Sequence, residues 1–205
     1  MVLEQSQPIP DDIQFRAGYY YMLSRFLSEP PTSGTLSAVA SYGSSTAQIP
    51  ENNKFLAALN ALAQSAAEQS DLEQLDDEFH DLFIGVGRGE LVPYGSWYIT
   101  GMLMDKPLSD LRQDLKALGI ERDEHHREPE DHAAALFDVM GILIESGNAY
   151  PFKAQQTFFG RHMKPWVRRF FKDITAARKA KFYRKVGEFG VEFINFETEY
   201  LEMPM

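Results

Sequence analysis

The segment from Glu121 to His132 concentrates side chains that can take part in chemistry. Its sequence, ERDEHHREPEDH, holds three of the five histidines of the chain together with several carboxylates. Imidazoles and carboxylates can ligate a metal, exchange protons near neutral pH or bind a cationic ligand. This segment is therefore the first candidate for a functional site.

The residues that follow this segment predict a helix, because apolar side chains recur every three or four positions up to Gly147. Pro129 suits the first helical position, where its missing N–H has no partner to lose. This phase places His132 on the buried stripe of the first turn. It places Asp131 at the N-terminal end, where the helix dipole favours a carboxylate. The acid and the histidine are expected side by side at a loop-to-helix junction.

The residues alone leave three interpretations of this junction open. A metal could be bound by His125, His126, Glu128, Asp131 and His132, although their spacing matches no mononuclear signature. Acid–base catalysis by Asp131 and His132 would lack a recognisable nucleophile or cofactor. In the structural interpretation, Asp131 caps the helix and His132 is a satisfied core residue. A small metal-dependent or acid–base enzyme is thus the alternative function, with no catalytic residue or metal ligand assigned.

Composition favours a single soluble domain. The chain has 205 residues, 44% of them hydrophobic, and no cysteine, which excludes disulfides and thiolate chemistry. Residues 1–12 form a polar, acidic tail without the basic and apolar regions of an export signal. No apolar run reaches the roughly 18 residues needed to span a bilayer. We therefore expect a cytoplasmic protein without stable membrane insertion.

Charge is unevenly distributed along the chain. The net charge is −10, yet residues 151–185 contain eleven Lys or Arg and a single acid, Asp173. The remainder holds nine basic and 29 acidic residues, a balance of −20. Such a surface repels nucleic acid and attracts basic partners, so a basic peptide is a plausible client. The basic segment itself is interpreted as a solvated helix face.

Helical periodicity runs through most of the chain, and alternating strand patterns are nearly absent. Predicted helices cover residues 13–27, 55–66, 72–83, 107–118, 129–146, 159–170 with a break at Pro165, and 182–200, with a short helix between 32 and 50. The glycines of residues 85–90 follow no strand and lack a Gly-Lys-Ser/Thr ending, which favours a helix terminus over a nucleotide loop. The predicted fold class is all-α, a helical bundle.

Three short patterns occur in order along this helical chain. They are FHDLF at residues 79–83, PYGSWY at residues 93–98 and EPEDH at residues 128–132, followed later by Pro165-Trp166. Together they resemble the TorD/DmsD/NarJ family of redox-enzyme maturation chaperones, from about Tyr19 to the C-terminus. Either outer pattern alone would be weak, but both in order in a cysteine-free helical chain are fairly specific.

The resemblance implies a non-catalytic chaperone, made of one helical domain over residues 1–205 and needing no cofactor or metal. Members of the family bind the twin-arginine signal peptide of a molybdenum-dependent oxidoreductase and delay its export until the molybdopterin cofactor is inserted. Carried over to this chain, the peptide-binding residues are Asp131 and His132, with Glu128 and Pro129 shaping the loop. The apolar part of that site would be Phe79, Pro93, Tyr94 and Trp97.

The partner implied by the resemblance is the oxidoreductase precursor, and no nucleic acid is expected. Carboxylates of Glu128, Asp131 and the acidic helix at residues 71–81 could pair with the leader's arginines. The basic segment must then face away from the leader or meet an acidic surface of the client. A monomer is expected. Domain-swapped dimers also occur in the family, and the connection at residues 119–128 would suit a hinge.

Overall fold

The computed structural model describes residues 11–44, 53–85, 89–122 and 128–203, and within them the regular structure is helical. Two of the ten α-helices in these ranges continue into a π-helical turn, at His80–Ile84 and Phe159–Met163. The helices are α1 Asp11–Ser28, α2 Ser33–Ser44, α3 Lys54–Glu68, α4 Leu72–Phe79, α5 Gly95–Thr100, α6 Lys106–Leu118, α7 Ala133–Glu145, α8 Phe152–Phe158, α9 Val167–Ala176 and α10 Phe182–Glu202. The all-α prediction is confirmed.

Helix α7 lies at the centre of the core and packs along α1. It is apolar on nearly every side, which is the pattern of a helix surrounded by protein rather than of a surface helix. Gly141 allows the two helices to approach closely, since a Cβ there would lie 2.5 Å from the ring of Tyr21. On the other side of the core, α10 packs against α3 and α9.

A buried ion pair joins the first and last helices. Arg16 of α1 donates to both carboxylate oxygens of Glu197 of α10, at 2.6 and 2.8 Å. The hydroxyl of Tyr20 donates to the same carboxylate at 2.7 Å, and Arg16 also donates to Gln155 at 2.8 Å. Each charge is thus compensated by several hydrogen bonds, as a buried ion pair requires.

The basic segment at residues 151–185 is partly paired with acidic side chains of the same chain. The carboxylate of Glu78 accepts from the backbone N–H groups of residues 181, 182 and 183 at 2.7, 3.2 and 2.8 Å. Glu90 accepts from those of residues 178 and 179, and Lys179 forms an ion pair with Asp81 at 3.1 Å. Glu78 therefore caps α10 from another helix. Part of the acidic 71–81 helix meets this segment and is not free for a leader.

The predicted helix ends are confirmed where the capping or helix-ending residue lies within one turn of the end. Asp71 caps α4 by accepting from Gln74 N–H at 3.0 Å, and Gly119 ends α6 in the left-handed conformation with φ 70°. The predicted break at Pro165 is also present, since α9 restarts at Val167. None of the helices within the described ranges is both long and apolar enough to cross a membrane.

The start of α7 was predicted wrongly. The helix begins at Ala133, not at Pro129, and His132 is its N-cap with extended backbone angles of φ −61° and ψ 138°. The cause is non-local, because residues 131–133 bond to the loop before α5. Of the predicted hinge at residues 119–128, residues 123–127 lie outside the described residues, as does most of the 1–12 tail.

Candidate functional site

Two loops distant in sequence meet at the site. The N–H of Gly95 donates to the carbonyl of Asp131 at 2.9 Å, and the N–H of Ala133 donates to the carbonyl of Pro93 at 2.8 Å. These bonds hold the two short segments as an isolated antiparallel bridge. The middle and last sequence patterns are therefore one structural unit.

Asp131 is buried, with 3% of its surface exposed. Its Oδ2 accepts from the N–H of Ser96 at 2.7 Å, at the N-terminus of α5, where the helix dipole favours negative charge. Its Oδ1 has no hydrogen-bond partner in the described part of the chain. A buried carboxylate oxygen without a donor is costly, and native proteins usually satisfy such atoms. This carboxylate is half satisfied and can accept from a ligand.

His132 is a capping residue in a dry environment. Its Nδ1 accepts from the N–H of Ala134 at 3.2 Å, so the proton of the neutral ring resides on Nε2. Burial lowers its pKa to about 4, against the opposing effect of the nearby Glu128 and Asp131. A ring that is neutral at pH 7 and committed to a helix end is poorly suited to acid–base catalysis. The prediction that Asp131 caps α7 is wrong: His132 caps α7, and Asp131 caps α5.

Tyr94 covers this pair from the outside. Its ring meets the ring of His132 edge-on, with centroids 5.0 Å apart, and its hydroxyl donates to the exposed Glu128. Burial, together with the hydrogen bond to Glu128, raises the pKa of Tyr94 above its ordinary value, so the hydroxyl stays protonated. Pro129 shapes the loop, as its carbonyl accepts from the N–H of His132 at 3.0 Å.

Asp131 lines a cavity of about 230 Å³, called here the acidic cavity. Its lining residues are Gly95, Ile99, Pro107, Asp110, Leu111, Asp131, Leu136, Arg161, His162 and Pro165. Two of its polar groups are already paired, because Arg161 and His162 both bond to Asp114, at 2.6 Å each. The space is several times the roughly 30 Å³ that one water occupies in the liquid, so it has room for a side chain.

A second cavity of about 300 Å³, called here the apolar cavity, borders α5, as the acidic cavity does. It is lined by Phe83, Ile84, Gly89, Leu91, Val92, Pro93, Tyr94, Trp97 and Leu103. Helix α5 contributes to both cavities, since Trp97 lines the apolar one and Ile99 the acidic one. Residues two apart on a helix point about 200° from each other. The predicted apolar residues Pro93, Tyr94 and Trp97 are thus brought together.

Phe79 is placed differently from the other predicted site residues. It is buried in the core, where its ring contacts those of Phe83 and Tyr183 with centroids 5.3 and 6.2 Å apart. It lines neither cavity. Phe79 supports Phe83, which does line the apolar cavity, so its position is that of a packing residue.

An exposed apolar segment beside the cavities was not identified from the sequence. Ile99, Met102, Leu103 and Met104 are 45–73% exposed. The N–H of Met104 donates to the hydroxyl of Ser96 at 3.2 Å, which ties the segment to α5. Contiguous exposed apolar surface marks interaction sites. The available signal was the Met-Leu-Met run directly after a helix-ending glycine, outside any helical stripe.

The metal interpretation has no support from the described residues. No group of three or more His, Asp or Glu side chains among them is arranged to hold an ion. His125 and His126, the other members of the predicted cluster, lie outside the described residues.

Comparisons with known proteins agree with this architecture. A family model described as nitrate reductase delta subunit matches residues 49–172. The chaperone protein TorD of Aliivibrio fischeri is 31% identical, with 91% of this chain and 94% of that protein covered. TorD of Vibrio atlanticus is 28% identical over the same shares.

A solved structure shares the fold. It is a crystal structure of a putative redox enzyme maturation protein from Archaeoglobus fulgidus, with a TM-score of 0.59 at 17% identity, covering 95% of this chain and 98% of that one. At this identity the likeness shows the fold alone. The extent of the family model and the identity to TorD go further, and the chain belongs to the TorD/DmsD/NarJ family of redox-enzyme maturation chaperones.

Proposed function

We propose that this protein is a cytoplasmic chaperone that binds the twin-arginine signal peptide of a molybdenum-cofactor oxidoreductase precursor. In this role it assists folding and cofactor insertion and holds back export until both are complete, with no catalysis of its own. Family membership supports a maturation role. The single observation that supports peptide binding is that Asp131 lines the acidic cavity and that its buried Oδ1 has no partner among the described residues.

An arginine side chain matches what Asp131 lacks. The guanidinium group stays charged at any physiological pH and presents several N–H donors in a planar fork. Because Ser96 N–H already fixes Oδ2, the carboxylate is held in one orientation before a ligand arrives. Charge-assisted hydrogen bonds of this kind are stronger than neutral ones. A basic peptide would therefore complete the hydrogen bonding of the site.

The apolar surface suits the rest of such a leader. A twin-arginine signal joins its basic part to an apolar, helix-prone segment. The apolar cavity borders α5, as the acidic cavity does, and the exposed segment that includes Met102 and Met104 follows this helix directly. Methionine side chains adapt to partners of different shape. Helix-in-groove recognition uses an apolar wall with a charged end, and these surfaces offer both properties, which supports the proposal.

The test is calorimetric titration of the purified protein with a synthetic peptide that carries two consecutive arginines before an apolar segment of about 10 residues. Asp131→Asn keeps the side-chain volume and an acceptor for Ser96, so we expect the fold to survive and binding to weaken about tenfold or more. Glu199→Gln removes the same charge from an exposed position on α10 that lines neither cavity, and is the matched control. Equal affinities of the two variants would contradict the proposal.

The oligomeric state is a separate expectation. We expect a monomer in solution, with domain-swapped dimers as a minor species exchanged through the 119–128 connection. Size-exclusion chromatography with light scattering would distinguish the two, and a purely dimeric protein at micromolar concentration would contradict this expectation.

A further inference from the structure

Asp110 is the second carboxylate of the acidic cavity. It lies on α6, whereas Asp131 precedes α7. In the described part of the chain its side-chain partner is Lys106, whose Nζ lies 2.6 Å from Oδ2. This is an i,i+4 pair on one helix, and the lysine side chain is 76% exposed. Exposed pairs of this kind contribute little and exchange readily with solvent.

The other two polar side chains of the cavity, Arg161 and His162, are paired with Asp114. One terminal nitrogen of Arg161 lies 2.8 Å from Oδ1 and 2.6 Å from Oδ2 of Asp114. His162 bonds to Oδ2 of the same carboxylate. Burial lowers the pKa of His162, although Asp114 and Asp110 act in the opposite direction. The remaining capacity to bind a cation therefore lies on Oδ1 of Asp131 and on Asp110.

One carboxylate cannot bind the guanidinium groups of two adjacent arginines equally well. Neighbouring side chains point to opposite sides of an extended chain and about 100° apart on a helix, so their guanidinium groups diverge. They also bring two positive charges, of which Asp131 would neutralise one. A second carboxylate on a different element of the same cavity answers both requirements.

We infer that Asp110 binds one guanidinium group of a paired-arginine segment while Asp131 binds the other, and that Lys106 competes with the peptide for Asp110. This inference rests on the proposed function. Lys106 thereby sets the affinity and the preference for two arginines over one. Asp110 and Lys106 lie outside the sequence patterns that marked the site.

The test is a mutant cycle measured by calorimetry with the paired-arginine peptide described above and a version in which one arginine is replaced by glutamine. Asp110→Asn should weaken binding of the paired peptide about tenfold and affect the single-arginine peptide less. Lys106→Gln should tighten binding of the paired peptide by about two- to fivefold, because the competing pair is lost. In the double variant, the gain from Lys106→Gln should disappear.

Lys116→Gln is the matched control for charge. It removes the same positive charge from an exposed position on α6, away from the cavity lining. A gain from Lys116→Gln equal to that from Lys106→Gln, or a gain from Lys106→Gln that persists with Asp110→Asn, would overturn the inference. Thermal unfolding of each variant checks that the fold is intact.

Failure of this inference is distinct from failure of the proposed function. If Asp131→Asn weakens binding and Asp110→Asn does not, peptide recognition stands and the role of Asp110 is wrong. If the wild-type protein binds neither peptide, the proposed function fails and this inference fails with it.

Discussion

Glu197 on α10 and Asp131 before α7 are both buried carboxylates, but their surroundings differ. Glu197 receives two hydrogen bonds from Arg16 and one from Tyr20, so both of its oxygens are satisfied. Asp131 lines a cavity and receives one hydrogen bond, from Ser96, and its second oxygen is buried without a partner among the described residues. The comparison teaches that a fully satisfied buried charge serves the fold, whereas a half-satisfied one is free to serve a ligand.

The largest expected effect concerns the satisfied carboxylate. Glu197→Gln leaves the charge of Arg16 buried without its counter-ion, so we expect the free energy of unfolding to fall by about 3–5 kcal/mol. Urea denaturation followed by circular dichroism measures this. Glu199→Gln changes an exposed acid two residues away on the same helix and should stay within about 0.5 kcal/mol of wild type. A loss below about 1 kcal/mol for Glu197→Gln would break the comparison.

A smaller loss of stability is expected when a fall in pH protonates His132, the neighbour of Asp131. The folded-state pKa of His132 lies near 4 and the unfolded value near 6.5, so the unfolded chain binds the proton more tightly. The contribution of His132 to stability should therefore be nearly constant above about pH 7 and fall by about 2–3 kcal/mol as pH drops towards 4.5.

The variant His132→Asn isolates this contribution, because asparagine also caps helices and does not titrate. We expect its stability to depend less on pH between 6.5 and 4.5 than that of wild type. The readout is the difference between the two pH profiles from denaturant unfolding, in which the common carboxylates cancel. Parallel profiles would show that His132 is protonated as easily in the folded state as in the unfolded chain.

The smallest expected effect on stability is that of Asp131→Asn. Relief of an unpaired buried charge and loss of a favourable charge at the N-terminus of α5 oppose each other, so the free energy of unfolding should stay within about 1 kcal/mol of wild type. Denaturant unfolding measures it alongside the peptide titration. A destabilisation like that of Glu197→Gln would mean that Asp131 serves the fold first.

Local signals predicted much of the fold. The Asp71 cap, the glycine that ends α6 and the break at Pro165 each depend on residues within about one helical turn, and all three are present. The start of α7 is different. Bonds from residues 93–95 hold residues 131–133 extended, and no pattern within one turn of Pro129 could indicate them.

The basic segment shows the same limit. Its charge could be counted from the sequence, but its partners could not. Glu78 and Glu90 bond to residues of the basic segment that lie 88 to 105 positions away in the sequence. Only the packing of α4 against the start of α10 therefore shows that the backbone of this segment is capped and that its charge is partly neutralised.

At the site, the residue types and their order along the chain were evident before any tertiary contact was known. Tyr94, Asp131 and His132 belong to short patterns that could be recognised without coordinates. Their roles depend on tertiary contacts: His132 caps α7, Asp131 caps α5 with one oxygen unpartnered among the described residues, and Phe79 packs against Phe83 in the core. The reason is physical, since helical periodicity and capping act over a few residues, whereas burial and hydrogen-bond partners depend on which distant segments pack together.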